Sequence, residues 1–254
     1  LWLAVVPDLL GSGAVRFLTS LGAWTVIAFS TILCGLPAIP MGFVPPRGSW
    51  SMRFGRAWAR MILRGTGVRV RVLHPDRFAA QGAVIAANHE SFYDILVLFH
   101  IVPMHIGFLA KRNLFRIPIL GWSMHAAGFV PVDRGEHRRG TATIDTALKR
   151  LGRGASLIVF PEETRTRTGE LLPFKAGAAL LAIRSGLPLQ PIGIAGTFEV
   201  LRRGGFTVTP SDVVVAVGEP ISVEGRTIRD RGALTDRLRE RVSALREEAR
   251  AALA

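Results

Sequence analysis

Charge is missing from the start of this chain. Residues 1–46 hold one acid, Asp8, and one base, Arg16, and no charge falls between Phe17 and Pro46. Cysteine is nearly absent too. The lone Cys34 excludes a disulfide within the chain, and its place in the uncharged stretch removes it as a nucleophile candidate. There is one tyrosine, and the arginines do not sit among stacking aromatics, so nucleic-acid binding is not expected despite the basic composition. His74, His100, His105, His125 and His137 show no ligand spacing, and no metal is expected. The chain has no internal repeat and no low-complexity segment.

What is present is an excess of positive charge. Lys and Arg number 32 against 19 acids, a net charge of +13, all of it in residues 47–254. A basic body joined to an uncharged arm suggests an anionic surface or substrate. The uncharged run is long enough to cross a bilayer. Pro37, Pro40, Pro45 and Pro46 crowd its second half, and proline breaks helices, so helix is expected over 14–36. Two arrangements compete: a transmembrane span, or a helix that enters one leaflet and turns back at the prolines. A cleaved signal peptide is disfavoured, because the run is long and lacks a basic start.

The next segment, Arg47 to Arg71, has seven arginines and no acid. Arg53, Arg56, Arg60 and Arg64 form a helical stripe, with Trp50, Phe54, Trp58, Met61 and Ile62 mostly opposite. Such a helix suits a lipid headgroup layer; the alternative is a solvated basic face over a core helix. A re-entrant hairpin, both ends cytoplasmic, is the preferred arrangement because it alone needs a break at the prolines. The chain then divides into a membrane-associated helical arm, 1–66, and a second domain, 67–254.

In that second domain short apolar runs alternate with helical patterns. Strands are expected at 68–72, 83–87, 106–110, 128–132, 156–160, 189–195 and 213–217. Helices are expected after Asp94, over 113–124 with an interruption at Pro118, over 141–151 and 175–185, and in the last segment, where Leu234, Leu238, Val242, Leu245 and Ala249 form a core stripe. This alternation predicts an α/β fold, a largely parallel sheet flanked by helices. The C-termini of parallel strands share one edge. His89, Lys111, Arg134 and Arg165 each follow a strand end, so they should converge. One base among several cations suits an anionic substrate, and phosphate is the best match: Arg holds it through a planar fork, Lys as a point charge.

The stretch Asn88-His89-Glu90-Ser91-Phe92-Tyr93-Asp94 carries the chemistry. An imidazole works as a base only in the right tautomer, and a carboxylate on its other nitrogen sets that tautomer. Five helical residues turn through about 140°, so His89 and Asp94 cannot share one face of a regular helix. His89 belongs in the loop or cap, with Asp94 in the first turns bending back and Asn88 bracing the loop. Position 93 is Tyr, which excludes a His-Glu-x-x-His zinc site, and Ser91 lacks the glycines of a hydrolase elbow.

These blocks resemble the glycerolipid acyltransferases, specifically the 1-acylglycerol-3-phosphate O-acyltransferases. The family's Asn-His-x-x-x-x-Asp is matched by Asn88, His89 and Asp94. Gly128-Phe-Val-Pro-Val-Asp-Arg134-Gly looks like its second block. Its third, Phe-Pro-Glu-Gly-Thr-Arg, is matched by Phe160, Pro161, Glu162, Thr164 and Arg165, and Leu189-Gln190-Pro191-Ile192 looks like the fourth. Order and spacing fit over residues 68–200. The departure is Glu163, where the family has glycine; a carboxylate beside a phosphate pocket would repel an anion.

The resemblance implies a glycerol-phosphate acyltransferase-like fold with an N-terminal membrane-docking two-helix motif, and a catalytic domain at 67–254. It implies that His89 is a general base oriented by Asp94, that Arg134, Arg165 and Lys111 hold the acceptor's phosphate, and that Glu162 bonds the glycerol part. Thr164 and Lys175 join the substrate site, with Asn88 and Gly177 in support. The implied reaction transfers a fatty acyl chain from a thioester, acyl-CoA or acyl carrier protein, to 1-acylglycerol 3-phosphate, with no other cofactor. The implied partners are the acyl donor, a membrane lipid acceptor and the cytoplasmic face of the inner (plasma) membrane. Two alternatives stand beside it: an acyltransferase for glycerol 3-phosphate or a lyso-aminolipid, which Glu163 keeps open, and a non-catalytic lipid-binding protein, for which an intact His89/Asp94 pair has no use.

Overall fold

The computed structural model describes residues 12–44, 49–80, 82–132 and 156–253. Apolar runs too short for helices become strands of one sheet: β1 (Arg69–Leu73), β2 (Val84–Ala87), β3 (Ile106–Lys111), β4 (Val130–Val132), β5 (Ser156–Val159), β6 (Leu189–Ala195) and β7 (Asp212–Val217). They pair in the order β1-β7-β6-β2-β5-β3-β4. From β6 to β4 the strands run parallel. β7 is antiparallel to β6, and β1 follows β7. The sheet is largely parallel, as expected, with one antiparallel pairing, β6 with β7, toward one edge. Every residue of β2, β5 and β6 is buried, because helices cover both faces.

One face carries α1 (Ser12–Met41), α2 (Ser49–Gly65), α3 (Tyr93–Ile101) and α4 (Leu120–Ala127); the other carries α5 (Gly177–Ser185) and α7 (Arg231–Ala251), and short α6 (Thr197–Val200) leaves β6. The period of two along a strand divides the core. Ile85 and Ala87 pack with Ile62, Tyr93 and Leu96, whereas Val84 and Ala86 pack with Leu181, Leu238 and Val242. α7 lies almost directly on β6. A Cβ at Gly193 would sit 2.3 Å from the backbone nitrogen of Arg246, so only glycine admits the helix there.

Three expectations change. α1 does not end at residue 36 but runs through Pro37 and Pro40 to Met41. Its last turns are held from outside: Ser51 Oγ donates to Ala38 O at 2.8 Å, and Gly42 lets the chain pass so near α4 that a Cβ would meet that of Ala126 at 2.5 Å. Packing here outweighs the two backbone bonds that the prolines remove. In the 113–124 region, Pro118 separates a 3-10 turn, Arg112–Arg116, from α4. The helix expected at 141–151 lies outside the described residues.

The third change concerns the arm. The apolar face of α2 is not free for lipid: Met52, Ala59, Ile62 and Leu63 are buried in the same core as Ile85 and Leu96. Arg56 reaches the carbonyls of Val102, Pro103 and Met104 at 3.0, 2.9 and 2.7 Å, closing the end of α3 rather than facing headgroups. The core therefore crosses the 66/67 boundary. Most of the exposed large apolar side chains among the described residues are on α1, where Phe17, Leu18, Leu21, Phe29, Ile32, Leu33 and Leu36 recur at helical spacing, followed by Phe43; Trp50 of α2 and Trp122 of α4 are exposed as well. α1 is long and apolar enough to cross a membrane. Its other face, however, rests on the body from Ser20, whose Oγ accepts the Val208 N–H (3.1 Å), to Ala38. The helix pair fits a membrane-docking motif, with α1 supplying an exposed apolar row.

Candidate active site

The loop between β2 and α3 is built around one carboxylate. Asp94, in the first turn of α3, is fully buried. Its Oδ2 accepts the backbone N–H groups of Glu90 (2.7 Å) and Ser91 (2.8 Å) and lies 2.8 Å from His89 Nδ1. Its Oδ1 accepts the Thr197 hydroxyl at 2.5 Å. With Oδ2 an acceptor for two backbone donors, Nδ1 of His89 must be a donor as well, which leaves the lone pair on Nε2. Among the described residues Nε2 has no partner. The imidazole stacks on Phe160 at 3.9 Å and 14°, fixing the ring plane.

Asn88 braces this loop against β6. It donates to Ile194 O (2.9 Å) and accepts from Ile194 N (2.8 Å), replacing the ladder bonds that end with β2. Glu162 does the same from the β5 side. Its Oε1 accepts His89 N (2.6 Å) and its Oε2 accepts Leu172 N (2.8 Å), while Thr166 N donates to His89 O (3.0 Å). Glu162 is 5% exposed, and burial raises its pKa to about 7 although both N–H donors favour the anion. Beneath the loop, Arg246 of α7 pairs with buried Glu90 at 2.6 Å and also reaches Gly169 O. Burial pushes the Glu90 carboxyl up, and the charge of Asp94 adds to this, against the opposing pull of Arg246.

His89 opens onto an apolar cavity of about 330 Å³. Its walls come from all four helices of this face and from β3, including Thr31, Gly35, Trp58, Phe99, Leu109 and Met124. Lys111, Thr164, Arg165 and Arg203 line the same cavity. Parallel β2, β3 and β5 therefore deliver His89, Lys111 and Arg165 to one place, as strand direction requires. Burial lowers the Arg165 pKa, and the neighbouring charge of Arg203 lowers it further. Glu163, exposed, holds φ +57 in a turn closed by its N–H to Phe160 O. This left-handed backbone suits glycine, and a non-glycine residue holds it at a cost.

The structure does not gather every expected residue. Arg134 lies outside the described residues. Lys175 is exposed, its backbone N–H bonded to Pro161 O, and it is absent from the cavity wall. Gly177 opens α5 with free space where a Cβ would stand. Both carboxylate oxygens of Glu162 accept backbone N–H groups, which positions the His89 loop. Sequence reading missed Thr197, Arg203 and Arg246. Only Arg246 left a signal: it falls in line with buried Val242 and Ala249, a charge inside an apolar stripe.

A family model described as Acyltransferase matches residues 69–195, from β1 through β6. The chain is 32% identical over 206 residues to 1-acyl-sn-glycerol-3-phosphate acyltransferase alpha of Homo sapiens, covering 80% of this chain and 72% of the relative. It is 31% identical over 179 residues to the 1-acyl-sn-glycerol-3-phosphate acyltransferase of Saccharomyces cerevisiae, 69% of this chain and 59% of the relative. Against the chloroplastic 1-acyl-sn-glycerol-3-phosphate acyltransferase BAT2 of Brassica napus, identity is 35% over 139 residues, 54% of this chain and 40% of the relative. The chain thus spans about half the length of these last two relatives. Its fold is that of the crystal structure of the 1-acyl-sn-glycerophosphate (LPA) acyltransferase PlsC from Thermotoga maritima, with TM-score 0.82 at 23% identity over 94% of this chain and 98% of that one. Since the matched segment contains the buried His89–Asp94 pair and the strand ends around it, the chain belongs to the acyltransferase family.

Proposed function

We propose that this protein transfers a fatty acyl chain from a thioester donor to the free hydroxyl of 1-acylglycerol 3-phosphate, giving phosphatidic acid. The observation that carries the reading is the His89–Asp94 pair at the wall of an apolar cavity that also presents Lys111 and Arg165. The cavity suits an acyl chain, and the cations suit a phosphate. In the reaction, Nε2 of His89 takes the proton of the acceptor hydroxyl as its oxygen attacks the thioester carbonyl. Asp94 stabilises the imidazolium so formed. Collapse of the tetrahedral intermediate breaks the C–S bond, and the proton held on Nε2 passes to the departing thiolate. The products are an ester and a free thiol, with no acyl-enzyme.

The exposed apolar row of α1 supports docking into one leaflet, on the cytoplasmic face where a water-soluble acyl-CoA or acyl carrier protein approaches. A spanning α1 would have to leave the Val208 and α4 contacts that hold both its halves. The test is thiol release by the purified protein, in mixed micelles, against lysophosphatidate, glycerol 3-phosphate, a lyso-aminolipid and monoacylglycerol. Phosphatidic acid formed fastest from lysophosphatidate is the expected result. No acceptor-dependent thiol release would remove the reading, and a faster second acceptor would reassign it.

A further inference from the structure

Two arginines stand side by side at the cavity, and among the described residues neither forms an ion pair. Arg165 follows β5, and Arg203 lies on the loop after α6, yet Arg203 Nη1 donates to the backbone oxygen of Arg165 at 2.9 Å. Both side chains line the cavity that holds His89. Among the described residues neither guanidinium has a carboxylate within ion-pair distance. Like charges brought together at a partly buried site repel, and an anion between them removes the repulsion.

The loop that brings Arg203 there is anchored at both ends. At its start Ser91 Oγ, three residues before Asp94, donates to Leu201 O (2.7 Å). At its far end Trp24 of α1 donates its indole N–H to Phe206 O (2.8 Å), and the Phe206 ring stacks on Phe17 and Trp24 at 5.9 and 6.0 Å. Val208 N donates to Ser20 Oγ. Arg203 therefore sits on a strap between the reacting loop and α1, at the rim of the cavity that holds His89.

We infer that Arg203 is a second guanidinium for the phosphate monoester of the lysolipid acceptor, closing on it together with Arg165. This rests on the acceptor reading above. A strap residue with a purely structural task would need only the hydrogen bond to Arg165 O; a phosphate ligand needs the charge and the fork.

The two tasks separate experimentally. Arg203→Gln retains an N–H donor for Arg165 O but no charge, and Arg203→Ala retains neither. Both are assayed with lysophosphatidate and with the monoacylglycerol of the same chain, thermal melting being followed alongside. The expected result is a rise of about 10- to 100-fold in KM for lysophosphatidate in both variants, the range for loss of a charged hydrogen bond. Donor KM and the slow use of monoacylglycerol should stay as in wild type. An unchanged lysophosphatidate KM in Arg203→Gln overturns the inference, and so does an equal loss on both acceptors. Failure of the acceptor reading shows separately, as absence of lysophosphatidate turnover by the wild-type protein, and takes the inference with it.

Discussion

Replacing Asp94 by Asn probes the dyad most sharply, because the structure dictates which way the amide must face. A carboxylate-to-amide change beside a histidine can flip the tautomer and cost about 10⁴ in rate. Here the Oδ2 position already receives the N–H groups of Glu90 and Ser91. An NH₂ placed there would leave two buried donors unpaired, at about 1–3 kcal/mol each. The amide oxygen should therefore keep that position, still accepting from His89 Nδ1, and the NH₂ should face Thr197, whose hydroxyl can turn to accept it. The tautomer survives and only the charge is lost. A charge pair near 4 Å is worth about 4 kcal/mol at an effective dielectric of 20, and a half-transferred proton feels about half of that. The expected loss in kcat is then about 30-fold, measured by thiol release, with ¹⁵N NMR reading His89 as protonated on Nδ1. A loss near 10⁴-fold with a ring protonated on Nε2 would refute the orientation argument. A rate equal to wild type would remove the dyad from the reaction.

His89→Ala should keep the melting temperature within a few degrees and lower acyl transfer by about 10²–10⁴; turnover near wild type would contradict the base assignment. Arg246→Met leaves Glu90 buried without its partner, and urea unfolding should show a loss of about 3–5 kcal/mol. That loss has a sign in pH. Burial holds the folded-state pKa of Glu90 up at about 7, above the ordinary carboxylate value, and it rises further without Arg246. Its stabilising contribution is complete below the unfolded value and disappears as pH climbs through the folded one, so the variant should lose more stability at pH 8 than at pH 5. The reverse order would mean that Glu90 is not the group left unpaired. Glu163→Gly should raise stability by up to about 1 kcal/mol in urea, because φ +57 costs a side chain more than it costs glycine; a loss would show that the side chain does more than tolerate its turn.

Strand positions were legible in the sequence because buried strands are written as short continuous apolar runs, and the alternation of strands with helices pointed to a largely parallel sheet. Each expected strand in the second domain has a counterpart in the sheet. The edge reversal of β1 and β7 was not legible, since an apolar run carries no sign of which way it points. The helix-breaking role given to Pro37 and Pro40 failed for a related reason: a local propensity of a few kcal/mol yields to packing against residues far along the chain. α2 shows the same limit, as an amphipathic pattern reports that one face is buried but not in what.

The dyad divides in the same way. The sequence by itself determined that a histidine and an aspartate stand at a strand end in a pattern shared with acyltransferases, because residue types and their spacing are local properties. It also determined that Lys111 and Arg165 would reach the same edge, because parallel strands leave no alternative. Only the tertiary structure decided what surrounds them. Thr197 is 103 residues from Asp94, Arg246 is 156 from Glu90, and Arg203 is 38 from Arg165. Contacts across such distances depend on how helices settle on the sheet, down to the missing Cβ of Gly193, and no local pattern encodes them.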